Sequence, residues 1–287
     1  MLEQTWTVPA SSMAVMALVG TFTLLFPLAL GIVFWRRARG RWRFFWMGCV
    51  VFPLFALGLE WAVNRAVLYG PAGWTIAGNL GLYALFGGLM AGLFEECGRW
   101  CALRLGKRWA RGPQDALMYG AGHGGIEAAL LAGSAMLSNL LVCFALNEGG
   151  LAGAAALMGA ESLTDAQTAA LASLVTTPAG MYLWSAFERA VAIAIHVSLS
   201  VLVYRAVQRN RARWLLLAVL LHAGVDASSI AAAAFLPIAG VELVALLWAA
   251  GLVLLARKIY FLEKLENALT FPKGEGVRWS RNEGHAL

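Results

Sequence analysis

Seven apolar stretches follow one another along the chain, at residues 13–35, 44–64, 76–103, 115–136, 181–204, 214–236 and 237–256. Each is close to the twenty or so residues that a helix rising 1.5 Å per residue needs to cross about 30 Å of hydrocarbon. A segment in lipid must satisfy its own backbone polar groups, so all seven are predicted to be helices. The stretch from 137 to 180 is harder to place. Residues 137–146 read as an extension of the fourth helix, whereas 151–160 and 163–175 are Ala-rich pieces too short or too polar to span. We expect external or re-entrant helices there; an extra pair of spans would keep every other orientation. The expected fold class is all-α, a polytopic bundle of about seven or eight spans. No fixed-period repeat or long linker divides it, so residues 1–257 read as one transmembrane domain. Residues 258–287 turn polar and read as a cytoplasmic tail, and His285 within it is expected to play no part in a site.

Basic residues set the expected direction, because Lys and Arg accumulate in cytoplasmic loops. Of the 22 Lys and Arg, nineteen fall in four places: 36–43, 104–111, 205–213 and from Arg257 onward. These places alternate correctly for seven helices with the N-terminus outside and the C-terminus inside. Residues 137–180 carry Glu148, Glu161 and Asp165 and no Lys or Arg, which suits an external location. Met1 to Ser12 contains Glu3 and no basic residue, so the first span is expected to be a retained helix and not a cleaved signal.

Composition excludes an ordinary soluble domain: 60% of residues are hydrophobic, 13% are charged against about 25% in soluble chains, and mean hydropathy is +0.70. We expect an integral, multi-pass protein of a bacterial cytoplasmic membrane, with lipid as its surroundings and no nucleic-acid partner. The four cysteines sit in apolar segments at irregular spacing and read as reduced, buried thiols. Cys97 and Cys101, four apart, could face one cavity, but a metal site would need further ligands.

Against this background the ionisable residues inside the spans stand out, since such groups face a protein or water-filled interior and mark function. They are Glu95, Glu96 and Arg99 in the third span, His123 and Glu127 in the fourth, His196 in the fifth, and His222 and Asp226 in the sixth. Counted from the expected cytoplasmic ends, the carboxylate pair and the three histidines all lie about eight residues in, roughly 12 Å deep. Unrelated packing histidines would scatter through the thickness, so one internal site explains the coincidence better. Three imidazoles can hold zinc and leave a position for water, whose pKa the metal lowers to about 7. His123, His196 and His222 are therefore the expected metal ligands, with Glu95 or Glu96 as the base. The two glutamates point about 100° apart, so one is expected to face the site while Arg99 or a neighbouring helix holds the other. Glu127, Asp226 or Glu188 could orient the histidines. Glu188-Arg189 reads equally as a structural ion pair, and Glu60 with Arg65 as interfacial anchoring. The glycines around His123 read as close helix approach or local unwinding, because no strand precedes them as in a nucleotide loop.

At these motifs the chain resembles the YhfC family of intramembrane metalloproteases, relatives of PrsW and the CAAX prenyl endopeptidase group. The wider group has Glu-Glu-x-x-Arg/Lys, a second motif with Phe-x-x-x-His or an equivalent Glu, and a late His-x-x-x-Asp/Asn. Phe94-Glu95-Glu96-Cys97-Gly98-Arg99 matches the first, Tyr119 to Glu127 the second and His222-Ala223-Gly224-Val225-Asp226 the last. Phe187-Glu188-Arg189 followed by His196 resembles an additional motif, so the likeness spans about residues 40–257. It implies an endopeptidase that cleaves a membrane protein or lipidated peptide near the cytoplasmic leaflet. Whether zinc or a glutamate-activated water alone does the work stays open at this level, and having both His123 and Glu127 departs from the simplest pattern. The competing reading is a proton or metal-ion transporter or channel, since rows of intramembrane His, Asp and Glu also build relays.

Overall fold

The computed structural model describes residues 6–270, and His285 lies outside them. In chain order the helices are α1 (Ala10–Ala38), α2 (Trp42–Leu68), the short α3 (Gly73–Ala77), α4 (Leu80–Leu105), α5 (Gln114–Leu157), α6 (Asp165–Thr176), α7 (Ala179–Arg209), α8 (Ala212–Ala233) and α9 (Ile238–Thr270). All but α3 and α6 are long and apolar enough to cross a membrane, which gives seven candidate spans. Most of them turn their apolar side chains outward, as lipid allows. In contrast, 72% of the most apolar window of α7 is buried, so α7 is the central post of the bundle.

Two spans depart from α-helical winding where their residues require it. Pro53 lacks an N–H and its ring crowds the preceding turn, and from there to Glu60 α2 widens into a π-helix. A second π-helical stretch, Ala129–Gly133, follows directly on Glu127 in α5. Farther on, Gly150 adopts φ 58° and ψ −150°, a conformation essentially restricted to glycine, and the chain doubles back there. A Cβ on Gly153 would run into the carbonyl oxygen of Ala145, although a straight helix would hold residues eight apart by about 12 Å. The end of α5 is thus a reversed limb. It leads to α6, whose start carries a Thr164–Gln167 capping box. Asn147 ties this region to the N-terminal segment, accepting from the Val8 N–H at 2.7 Å and donating to the Val8 carbonyl at 3.1 Å. Val8, Met16 and Val19 pack there with Met136, Cys143, Leu146 and Leu171.

Missing side chains draw the site-bearing helices together. Along α5, a Cβ on Gly120 would strike the Val197 backbone of α7, one on Gly122 the Phe45 backbone of α2, and one on Gly125 the ring of Pro27 in α1. The glycine run thus lets three helices close around α5 at van der Waals range. Gly88 and Gly92, one turn apart on α4, do the same against Ala223, Ala227 and Val219 of α8.

At one end of the bundle the basic segments gather on a single face. Arg41 pairs with Asp115 at 2.7 Å, Lys107 donates to the Val207 carbonyl at 3.0 Å, and Arg104 donates to Asn210 at 3.2 Å. Arg205 and Arg209 clamp the buried Glu263 at 2.5 and 3.1 Å. That clamp belongs to an unforeseen extension: α9 does not end near 256 but continues to Thr270, taking in the first thirteen residues of the expected tail. A helix of 33 residues is about 50 Å long, more than the hydrocarbon needs, so it runs on past the expected span.

Candidate active site

Glu95 and Glu96 are consecutive on α4 and diverge by one helical step, which sends them into different networks. Glu96 faces Arg99, one turn on. The guanidinium donates through Nη1 to both carboxylate oxygens, at 2.5 and 2.7 Å, and both side chains are fully buried. The same carboxylate lies 2.8 Å from Nδ1 of His222, which the Gly88/Gly92 contact brings up on α8. Glu95 turns the other way, its Oε2 2.9 Å from Nε2 of His123 and 3.8 Å from Nδ1 of His196.

Arg99 joins the two halves. Its Nη2 is 3.0 Å from Nδ1 of His196, and because a guanidinium can only donate, that nitrogen must carry the lone pair. The ring hydrogen of neutral His196 is therefore on Nε2, which lies 2.5 Å from Oε2 of Glu127. Glu127 in turn receives Arg189 on its other oxygen at 2.7 Å, and Arg189 also pairs with Glu188. The three imidazoles lie in series, with ring centroids 4.9 Å apart for His123 and His196 and 5.4 Å for His196 and His222. His123 is walled in by Phe52 and Tyr119. Asp226 stands 3.6 Å from Nε2 of His222. A cavity of about 150 Å³ opens among Glu95, Glu127, His196, His222 and Asp226. Its more exposed wall is formed by Glu188 and Asp226, whose side chains are 37% and 34% accessible, while Glu95 and His196 are buried at its back.

Every residue singled out from the sequence, Glu95, Glu96, Arg99, His123, Glu127, His196, His222 and Asp226, thus takes part in one connected cluster. Their grouping differs from a three-histidine set. Among the described residues the donors that converge are Glu95, His123 and His196, whose ligand atoms lie within 4.8 Å of one another. His222 is beyond His196, engaged by Glu96. Arg189 joins the cluster where the sequence left it open as a structural pair, and its side chain can reach Glu127 because α5 and α7 touch at glycine. The four cysteines are free thiols outside the converging donor group. Glu60 bonds Asn64 at 3.1 Å, and Arg65 lies over the rings of Trp61 and Tyr69.

The converging donors suit a metal. Two imidazoles and one carboxylate form a known catalytic zinc set, and ligands about 2 Å from one ion sit roughly 3.3 Å apart in a tetrahedron, between the 2.9 and 3.8 Å measured from Glu95. In addition, Nδ1 of His123 is buried with no protein partner, so the ring is free to adopt the tautomer that turns a lone pair toward Glu95.

Comparison with known proteins agrees with this chemistry. Residues 22–252 match the profile of the family described as YhfC intramembrane metalloprotease. The Uncharacterized membrane protein YhfC of Bacillus subtilis (strain 168) is 35% identical over 209 residues, covering 72% of this chain and 80% of that protein. No solved structure matches.

Proposed function

Because this chain belongs to the YhfC intramembrane metalloprotease family, we propose that it is a zinc endopeptidase that cuts a membrane protein or lipidated peptide close to the cytoplasmic leaflet. The observation that carries this reading is the buried convergence of Glu95, His123 and His196 beside a polar cavity. Those three residues would hold the ion, His196 through Nδ1 in exchange for the hydrogen bond from Arg99, and the ion would supply Lewis acidity and an acidified water. Glu127, fixed by Arg189 through one oxygen and set against Nε2 of His196 with the other, lines the cavity and is the group we assign to take a proton from the attacking water. His222, braced through Nδ1 by Glu96, offers Nε2 to the cavity with Asp226 beside it, placed to stabilise the carbonyl oxygen or protonate the departing amine. Arg99 holds Glu96 and touches no substrate. Leaflet and direction follow from the basic face, which the positive-inside rule puts in the cytoplasm, and the carboxylates lie about 14 Å in from the α4 terminus at that face.

The test is metal analysis joined to proteolysis of reconstituted protein. Glu95→Gln, His123→Ala and His196→Ala should each lose bound zinc. His222→Ala and Asp226→Asn should keep zinc and lose cleavage. Full activity in a chelated, zinc-free preparation would remove the metal and leave glutamate-driven hydrolysis.

A further inference from the structure

Four arginines from the end of α1 and two separate connections meet at the basic face, away from the catalytic cluster. The last turn of α1 supplies Arg36, the turn into α2 supplies Arg39 and Arg41, the α4–α5 connection supplies Arg111, and with Trp35 and Gly40 they line an open cup of about 300 Å³. One buried carboxylate holds the two sides together. Asp115, fully buried, accepts from the Arg41 backbone N–H at 3.1 Å, from its Nε and Nη2 at 3.2 and 2.7 Å, and from the Arg111 backbone N–H at 2.8 Å. Arg39 closes α1 in the left-handed region at φ 63°, so residues from both sides of the helix end reach the same cup.

Asp115 therefore neutralises one guanidinium and brings the others near. Among the described residues no carboxylate pairs with Arg36, Arg39 or the Arg111 side chain; Arg36 merely stands over the Trp35 ring at 6.0 Å. Three uncompensated guanidiniums around one hollow repel each other when it is empty. A phosphate relieves that repulsion, and its oxygens match the planar donors of arginine. Free phosphate would use only the cup. The next turn of α1 toward the hydrocarbon exposes Ile32 and Val33, and Trp35 at the rim is half exposed, so a phosphate carrying acyl chains gains from both surfaces. We infer that this cup binds the phosphate of an anionic phospholipid headgroup, with the acyl chains lying along α1. Basic pockets between transmembrane helices on the cytoplasmic side bind anionic headgroups by the same physics. A lipid seated here bridges the turn into α2 and the connection into α5, and so pins the end of the helix that carries His123.

Native mass spectrometry of the full chain released from nanodiscs tests this. Nanodiscs of phosphatidylglycerol should yield one retained lipid and nanodiscs of phosphatidylcholine none. Arg36→Gln/Arg39→Gln should weaken phosphatidylglycerol retention on the order of thirtyfold, at roughly fivefold per arginine near the surface. The control pair Arg211→Gln/Arg213→Gln, exposed on the same face but outside the cup, should leave it unchanged. An unaltered thermal unfolding midpoint in both variants would show that the fold is intact. Equal retention of both lipids, or equal loss in the control pair, would overturn the site in favour of a diffuse basic surface. Displacement of the lipid by inorganic phosphate at equal concentration would overturn the lipid assignment.

Discussion

Removing Arg99 is the sharpest test of how the cluster is held. Its guanidinium gives two short bonds to Glu96 and one to His196, and neither Arg99 nor Glu96 has any accessible side-chain surface. In Arg99→Met the Glu96 carboxylate keeps only His222, and His196 Nδ1 loses its donor. Breaking a buried pair from one side costs about 3–5 kcal/mol, since the abandoned charge has no water to turn to. At about 2–4 °C per kcal/mol for a chain of this size, the thermal midpoint in detergent should fall by roughly 6–20 °C. Glu96→Gln in the same protein removes the stranded charge, so the double variant should recover much of the loss, with a coupling of about 2 kcal/mol or more. Arg99→Lys should not rescue fully, because a single ammonium cannot reproduce the planar fork that serves Glu96 and His196 together. The assay is thermal unfolding of the four members of the cycle, read by tryptophan fluorescence. A loss under about 1 kcal/mol for Arg99→Met, or strict additivity with Glu96→Gln, would refute a charged Glu96–Arg99 pair.

Three further outcomes are expected. Gly120→Val should cost about 1–3 kcal/mol by driving a side chain into the Val197 backbone, and should weaken binding of the proposed metal about tenfold or more with all ligands intact, measured by chelator competition; unchanged affinity would show that α5–α7 contact does not set the donor spacing. Gly150→Ala should cost about 1–3 kcal/mol, speed proteolytic nicking between 149 and 163, and leave zinc content alone; equal nicking rates would argue against the reversal. Glu263→Gln should loosen the end of α9 by removing the charge shared by Arg205 and Arg209, seen as faster amide exchange from 259 to 270, and unchanged exchange there would show that the clamp is idle.

The spans were legible because about twenty apolar residues carry a hydropathy signal that needs no partner. The site residues were legible because Glu, His and Asp are costly in lipid, and their shared depth follows from counting along each helix. What depends on rotation about the helix axis was not legible. That Arg99 reaches His196, that Arg189 reaches Glu127, and that Glu95 instead of His222 completes the converging donors are set by glycine contacts between helices distant in sequence. The reversal at Gly150 left only a weak trace, the Gly149-Gly150 pair inside an apolar run. The continuation of α9 was hidden by charge: Glu263 and Glu266 read as tail residues, whereas they face Arg205 and Arg209 four residues apart on α7.

The neighbouring carboxylates Glu95 and Glu96 make α4 behave like a key with two cut edges. A turn of a few degrees that shifts Glu95 relative to His123 shifts Glu96 relative to His222 by the same angle. Neither network can be tuned alone by moving the backbone, and the angular setting of α4 becomes a single variable read by both. Its bearing surface is the Gly88/Gly92 contact with α8, so substitutions there, far from any reacting atom, should be felt at the metal donors and at His222 together.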